Sequence, residues 1–538
     1  MYNFKKNNLI ICLIVSVFIS ILQMLGRFLD VRSGEISISL VRIFVEGLLF
    51  FILCFISIIL LWRSGQKAVM SKPLKHKVFF NIWFWQLIIL ITWLPCFLAY
   101  FPGIYSYDGE PQLIQYTSRK LDNHHPIIHT LILGKCYDLG RWLRANGIGI
   151  DGLAFYTAIQ VLLLSFALAS VLRFLVKKEC GKVFVILSAL YICLFPTMPL
   201  MAISSTKDTF FTAFFILFIL ALSEIPYSES RSNYIRLFIC ASGCMIFRRN
   251  GYYVILILLI LMIIACLIKH GKCEKQFVKT VIVLLISVVF FSITEKSIIS
   301  ITDAAKGESA EALSVPLQQM ARAFKNDDNA IRAKYGERLT DYISETGLCN
   351  YRPLISDGVK QYFNNELFAK NKSGFVKVYL ELGKDYPGPY ALAVLYLTKG
   401  DWHILDTSYC KVYKDWWRDR TGYLITDATP VFAGNFVTKE NLWPSVRSLY
   451  ERFATDCTFM RFMPAKIICA PAFYVYLSVL GALALLIKKK KTIYPIMGAI
   501  LLYLITVFAG PCVLVRYIFP LMAAMPLLAW CVLKDDLV

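Results

Sequence analysis

Seven residues able to move a proton or bind a polar ligand crowd one short stretch: Tyr105, Tyr107, Asp108, Glu110, His124, His125 and His129. Half of the six histidines in the chain are among them. Taken singly, each has a plain structural use: acids cap helix N-termini and histidines face water. Taken together, they concentrate at one edge of an apolar region, which is where a site at a membrane surface belongs. Three further groups of charge interrupt later apolar runs: Ser204-Ser205-Thr206-Lys207-Asp208, Arg248-Arg249-Asn250 and Arg516-Tyr517, the last after a Gly510-Pro511 turn. An ionised side chain at the centre of a span costs roughly 2.5–3.5 kcal/mol on insertion scales. Near a span edge, Lys and Arg reach back to water and serve as anchors. The same cations, at the same depth as an acidic loop, suit an anionic lipid-linked group, because charge-assisted bonds to phosphate are strong.

The elements that must position these residues are membrane spans. Of the 538 residues, 57% are hydrophobic and 17% charged, against roughly 25% charged in a soluble domain. A span needs about 20 mostly apolar residues. Such runs fall near 8–29, 38–62, 78–100, 152–175, 183–203, 208–223, 237–247, 251–268, 280–299, 464–487, 492–510 and 512–533. That makes about 12 spans, with those at 208–223 and 237–247 short. The fold class is mainly α: a polytopic helical membrane protein with interfacial helices and an extracytoplasmic domain in its C-terminal half. The first run follows Lys5-Lys6, is long for a signal sequence and reads as a retained span.

Threading the chain with the N-terminus inside puts every strong basic cluster on one side. These are Arg63 to Lys77, Lys177-Lys178-Lys182, Lys269 to Lys279 and Lys488 to Lys491. That is the positive-inside pattern, and it makes both termini cytoplasmic. Residues 101–151 and 300–463 are then extracytoplasmic. The chain divides into two N-terminal spans and a basic linker (1–77), a membrane core (78–299), the outer domain (300–463) and C-terminal spans (464–538). The net charge of +21 sits mainly in the inner loops, which is topology and not a nucleic-acid surface. The sixteen cysteines lie mostly in apolar runs as small hydrophobes, with no zinc spacing.

Within the first outer loop, Glu110-Pro111 starts a short helix to about Thr117. A second, amphipathic helix runs from Pro126 to about Ala145, with Gly147 as its stop. In the outer domain, Ala310 to Tyr335 reads as largely helical, with Leu313, Leu317, Met320 and Phe324 on one face and Pro316 as a kink or a start. Leu339 to Thr346 and Val376 to Leu382 read as further helices. The stretch Asp401 to Phe436 is rich in aromatics, Trp402, His403, Tyr409, Tyr413, Trp416, Trp417 and Tyr423, which suit either sugar stacking or core and interface packing, and Asp415-Trp416-Trp417-Arg418-Asp419-Arg420 is the segment to mutate first in a binding test.

These features resemble the GT-C class of integral-membrane glycosyltransferases. The resemblance lies in the acid of the first large outer loop, the interfacial helices after it, and Arg516-Tyr517-Ile518-Phe519-Pro520 in a late span. Locally, Pro102-Gly103 to Asp108, Asn123-His124-His125-Pro126 to Thr130, and Ser205 to Asp208 resemble an uncharacterised family of bacterial polytopic membrane proteins. The GT-C resemblance implies transfer of a sugar from a polyprenyl-phosphate-linked donor to a cell-envelope glycan, lipid or protein on the outer leaflet. It implies Asp108 as catalytic base and Lys207, Arg248, Arg249, Arg516 and Tyr517 as the donor-phosphate site. Tyr107, Glu110, His124, His125, Asp208, Trp416 and Trp417 would bind acceptor or sugar. A divalent metal at Asp108 and Glu110 is left open. The sequence departs from the class in two ways: two spans precede the matching one, and the acids read Asp-Gly-Glu instead of lying side by side. A surface-polysaccharide polymerase or ligase, and a lipid or solute transporter without chemistry, are the alternatives.

Overall fold

The structure is a computed structural model that describes residues 6–225, 230–268, 274–305, 307–414, 421–426, 442–487 and 494–533. Among these residues the fold is all helical, with isolated β-bridges and no strand. Over their described residues, the twelve apolar runs are mainly helical. α1 (Lys6–Arg32) and α2 (Leu40–Val69) form an N-terminal hairpin, and α3 (Ile82–Ala99) follows. α4 (Gly109–Ser118) and α5 (Ile127–Ala145) are the two helices expected in the first loop. Next come α6 (Gly152–Lys177), α7 (Lys182–Leu194), α8 (Thr197–Ala202), α9 (Lys207–Glu224), α10 (Arg231–Phe247), α11 (Arg249–Ile268) and α12 (Lys275–Thr302).

Six helices are long and apolar enough to cross a membrane, or up to eight if each of two bent pairs is one span. The pairs are Met463–Cys469 with Pro471–Leu486, bent by 68°, and Val515–Ala523 with Met525–Leu533, bent by 50°. The remaining runs of the expected twelve are short, like α7, or carry charges at their ends, like Lys207, Asp208 and Glu224 on α9. The chain is thus a multi-pass, membrane-embedded helical protein. The basic residues Lys269, Lys272 and Lys488 to Lys491 lie outside the described residues.

α9 is buried on every side and packs against α6, α10 and Val515–Ala523. A helix apolar all round belongs in the centre of a bundle. Its first turn, which carries Lys207 and Asp208, is therefore held by neighbours at one end of the bundle. The region 300–463 divides in two. Residues 310–390 build their own core around Leu317, Met320, Phe324, Val359, Phe375 and Leu382, whereas Tyr409, Tyr423 and Phe459 pack into the main core. Pro316 lies in the first turn of a helix over Ser314–Asn326 and so marks a start. The helix expected over 339–346 is interrupted. Ile343 pairs with Phe363, and the Ser344 side chain caps a new helix, Glu345–Cys349. Cys349, Cys410 and Cys457 are free thiols.

Candidate functional site

The first loop reaches the end of α9 through backbone pairing. Gly103 has φ +146°, and a Cβ there would lie 2.3 Å from Thr157 Oγ1, so only glycine fits. Ile104 N donates to Ile203 O at 2.9 Å, and Ser205 N donates to Ile104 O at 2.8 Å. Ser106 N donates to Ser205 Oγ at 3.1 Å. Tyr107 then takes a left-handed φ of +57°, a conformation that turns the chain sharply. Asp108 follows as the N-cap residue of α4, yet its side chain makes no cap hydrogen bond. The cap use open to this acid in the sequence is thus not what its carboxylate does.

Instead that carboxylate faces cations. Lys207 Nζ lies 2.9 Å, and Arg516 Nη1 3.1 Å, from Asp108 Oδ2. Arg516 Nη1 also lies 3.5 Å from Asp208 Oδ2, and Arg248 Nη1 lies 2.9 Å from Asp208 Oδ1. Lys207 Nζ donates to His125 Nδ1 at 2.9 Å. An ammonium can only donate, so His125 Nδ1 is the acceptor and its proton is on Nε2. The aromatic partners complete the packing. Tyr107 and Tyr517 stack on Arg516 at 5.0 and 4.9 Å, and Tyr517 also faces Arg248 at 4.9 Å. Such contacts stabilise a guanidinium withdrawn from water. Each cation comes from a helix break. Lys207 opens α9 after its Thr206 cap. Arg248 sits extended between α10 and α11, where Gly251 lies close on Cys244 O. Arg516 opens Val515–Ala523 after an extended Leu514.

Electrostatics make the cluster unusual. Three cations (Lys207, Arg248 and Arg516) oppose two carboxylates (Asp108 and Asp208), with every side chain 16% exposed or less. Burial pushes the Asp108 carboxyl up, but Arg516 and Lys207 beside it outweigh that and hold it well below the usual range. Burial and the Lys207 ammonium push His125 well below its ordinary value, so it is neutral. The set therefore keeps one net positive charge out of water, an expensive state unless an anion completes it.

Not every expected residue joins. Arg249 turns away, donating to Asn123 O at 2.7 Å. With Asn123 and Glu295 it rims a cleft of about 40 Å³ whose walls include Ile127, Ile246, Phe291 and Ile298. His124 stacks edge-on against His125 and lies 3.9 Å from Glu311. Glu110 is buried beside Tyr105. Among the described residues, the only group of acids, histidines and cysteines spaced to hold a metal excludes both Asp108 and Glu110. Trp416 and Trp417 lie outside the described residues.

Some members have only a weak signal in the sequence. Tyr503 accepts from Arg248 Nη1 at 3.3 Å and donates to Tyr517 O at 2.5 Å. His129 belongs to a buried support under α5. Its Nε2 pairs with Tyr156 OH at 2.8 Å, and Gln160 Nε2 holds Ala202 O and Ser204 O at 2.9 and 2.6 Å. Apart from His129, polar residues inside apolar runs, such as Gln160 and Tyr503, are the trace the sequence gives of this layer.

No curated protein and no solved structure matches the chain. A family model described as a family of unknown function, DUF6020, matches residues 113–536, and the chain belongs to that family.

Proposed function

We propose that the protein is a membrane glycosyltransferase that moves a sugar from a polyprenyl-phosphate carrier to a cell-envelope acceptor at the outer leaflet. The observation that carries this reading is the buried charge imbalance: Lys207, Arg248 and Arg516 against Asp108 and Asp208. A phosphate is the ligand that imbalance suits, since Arg and Lys at this spacing give short, charge-assisted bonds to it. In this reading the three cations bind the carrier phosphate and stabilise the charge it gains as the sugar leaves. Asp108 accepts the proton of the attacking acceptor hydroxyl.

The resting ion pairs would make Asp108 a weak base. Binding of phosphate draws Lys207 and Arg516 off Asp108 Oδ2, and the carboxylate then regains its ordinary basicity. The base becomes competent only when the donor is present. A transporter is the less suitable reading, because the charges gather at one end of the bundle where α9 and α11 begin. The test is lipid and glycan analysis of a deletion strain carrying either the wild-type gene or Asp108→Asn. Expected is restoration by wild type only. Full restoration by Asp108→Asn at equal membrane abundance sinks the mechanism.

A further inference from the structure

A second group of buried polar residues lies away from the first, at the C-terminal end of α1. Asp30, His403 and Asp406 each bring one ligand atom within 4.8 Å of the others, and all three are buried. Backbone bonds fix the turn that carries two of them: His403 N donates to Lys399 O at 2.8 Å, and Asp406 N donates to His403 O at 2.9 Å. The Lys399 ammonium holds Asp30 Oδ1 at 2.5 Å and Asp406 Oδ1 at 3.2 Å. Asp406 Oδ2 accepts from Ser408 N and from the Ser408 hydroxyl. The carboxylates are thus oriented before any ligand arrives.

His403 is what this network leaves unexplained. It is 2% exposed, and neither Nδ1 nor Nε2 has a hydrogen-bond partner. Buried polar groups are nearly always paired, and an imidazole with both nitrogens bare calls for a missing partner. Burial, with Lys399, Arg27 and Lys466 nearby, pushes its pKa down to about 3, which leaves the neutral ring with a free lone pair. The ring lies flush on α1. A Cβ at Gly26 would come 2.4 Å from His403 Cγ, so that approach requires glycine.

We propose that Asp30, His403 and Asp406 bind one divalent cation of the zinc class, which ties α1 to the turn at 403–406. One imidazole and two carboxylates form a nitrogen–oxygen set that suits zinc or manganese, with water completing the shell. Lys399 and Ser408 are the outer partners that orient the ligating carboxylates. Lys399 also lies 3.4 Å from the exposed Glu35, and Arg27 lies 3.2 Å from Glu46 and 3.9 Å from Asp30 Oδ2.

The test uses the full chain purified in detergent, stripped with chelator, loaded with Zn²⁺ or Mn²⁺ and dialysed. Elemental analysis should find about one equivalent per chain for wild type and for Asp108→Asn, and less than a tenth of that for His403→Gln and for Asp406→Asn. Added metal should raise the melting temperature of wild type but not of either ligand variant. Asp406→Asn keeps the test open where His403→Gln fails to fold. Wild type that retains no metal after dialysis, or His403→Gln that retains as much as wild type, overturns the site. Asp108→Asn separates this outcome from the proposed transfer reaction, since it touches only the other cluster.

Discussion

Replacing Asp108 with asparagine keeps the shape of the side chain and removes its charge. At about 3 Å and an effective dielectric near 20, each of its two cation contacts carries a gross attraction of roughly 5 kcal/mol. Little of this appears as stability, because both cations keep other partners. Lys207 still reaches His125 at 2.9 Å, and Arg516 still lies 3.5 Å from Asp208. The loss should fall at the low end of the roughly 3–5 kcal/mol typical of a broken buried pair. The functional effects should diverge. Loss of a general base slows transfer by about 10²–10⁴-fold. The two released cations should bind an anion more tightly, because the cluster moves from one net positive charge to two. The assay pairs glycan analysis of complemented strains with thermal-shift titration of purified protein against inorganic phosphate. Asp108→Asn that retains transfer, or that binds phosphate no better than wild type, refutes the reasoning.

Asp208 should behave in the opposite way. It is fully buried between Arg248 and Arg516, so Asp208→Asn should cost roughly 3–5 kcal/mol and lower expression in a detergent-stability assay. Arg516→Gln should abolish transfer, whereas Arg249→Gln should leave at least a tenth of it, because Arg249 bonds to Asn123 O and not to the cluster; the same complementation assay checks both. His125 has a folded pKa well below its unfolded value of about 6.5. The unfolded state therefore takes up the proton first, and stability is full above about pH 6.5 and falls as the pH drops. His125→Asn should therefore flatten the melting-temperature profile below about pH 6.5. Gly140→Ala should destabilise the α5–α6 contact, since its Cβ would come 2.2 Å from Gly152 N; a lowered melting temperature with Asp108 still intact is the expected reading.

The helices were legible in the sequence because bilayer-length apolar runs leave few alternatives. So were Lys207, Asp208, Arg248 and Arg516, since a charge at the edge of an apolar run stands out against its neighbours. Their convergence followed from threading: helices that alternate in direction bring every second break to the same end. Direction around each helix did not follow from it. Arg248 and Arg249 are adjacent in sequence, yet one points into the bundle and the other to Asn123, a difference set by the break between α10 and α11. The Asp30–Lys399–His403–Asp406 group was not legible at all. Asp30 lies more than 360 positions before Lys399, His403 and Asp406, and only the packing of α1 on the turn after Trp402 joins them. The number of full spans was likewise obscured, because α9 and α10 are apolar enough to be buried in protein without being long or uncharged enough for lipid.

A low resting pKa at Asp108 argues against a general base only if the resting charges persist during turnover. Here they need not. Asp108 Oδ2 alone takes both Lys207 and Arg516, while Asp208 takes Arg248 and a longer contact from Arg516. The Lys207–Asp108 contact is the more exposed one, at 16% and 15%, whereas Arg516 at 8% is as buried as Arg248 at 9%. An anion approaching from solvent or lipid therefore meets Lys207 first and competes with Asp108 Oδ2 for it. The Asp208–Arg248 pair behind it, at 1% and 9%, keeps its geometry. One carboxylate is placed to be displaced and the other to stay. The contrast between Asp108→Asn and Asp208→Asn is where that difference becomes measurable.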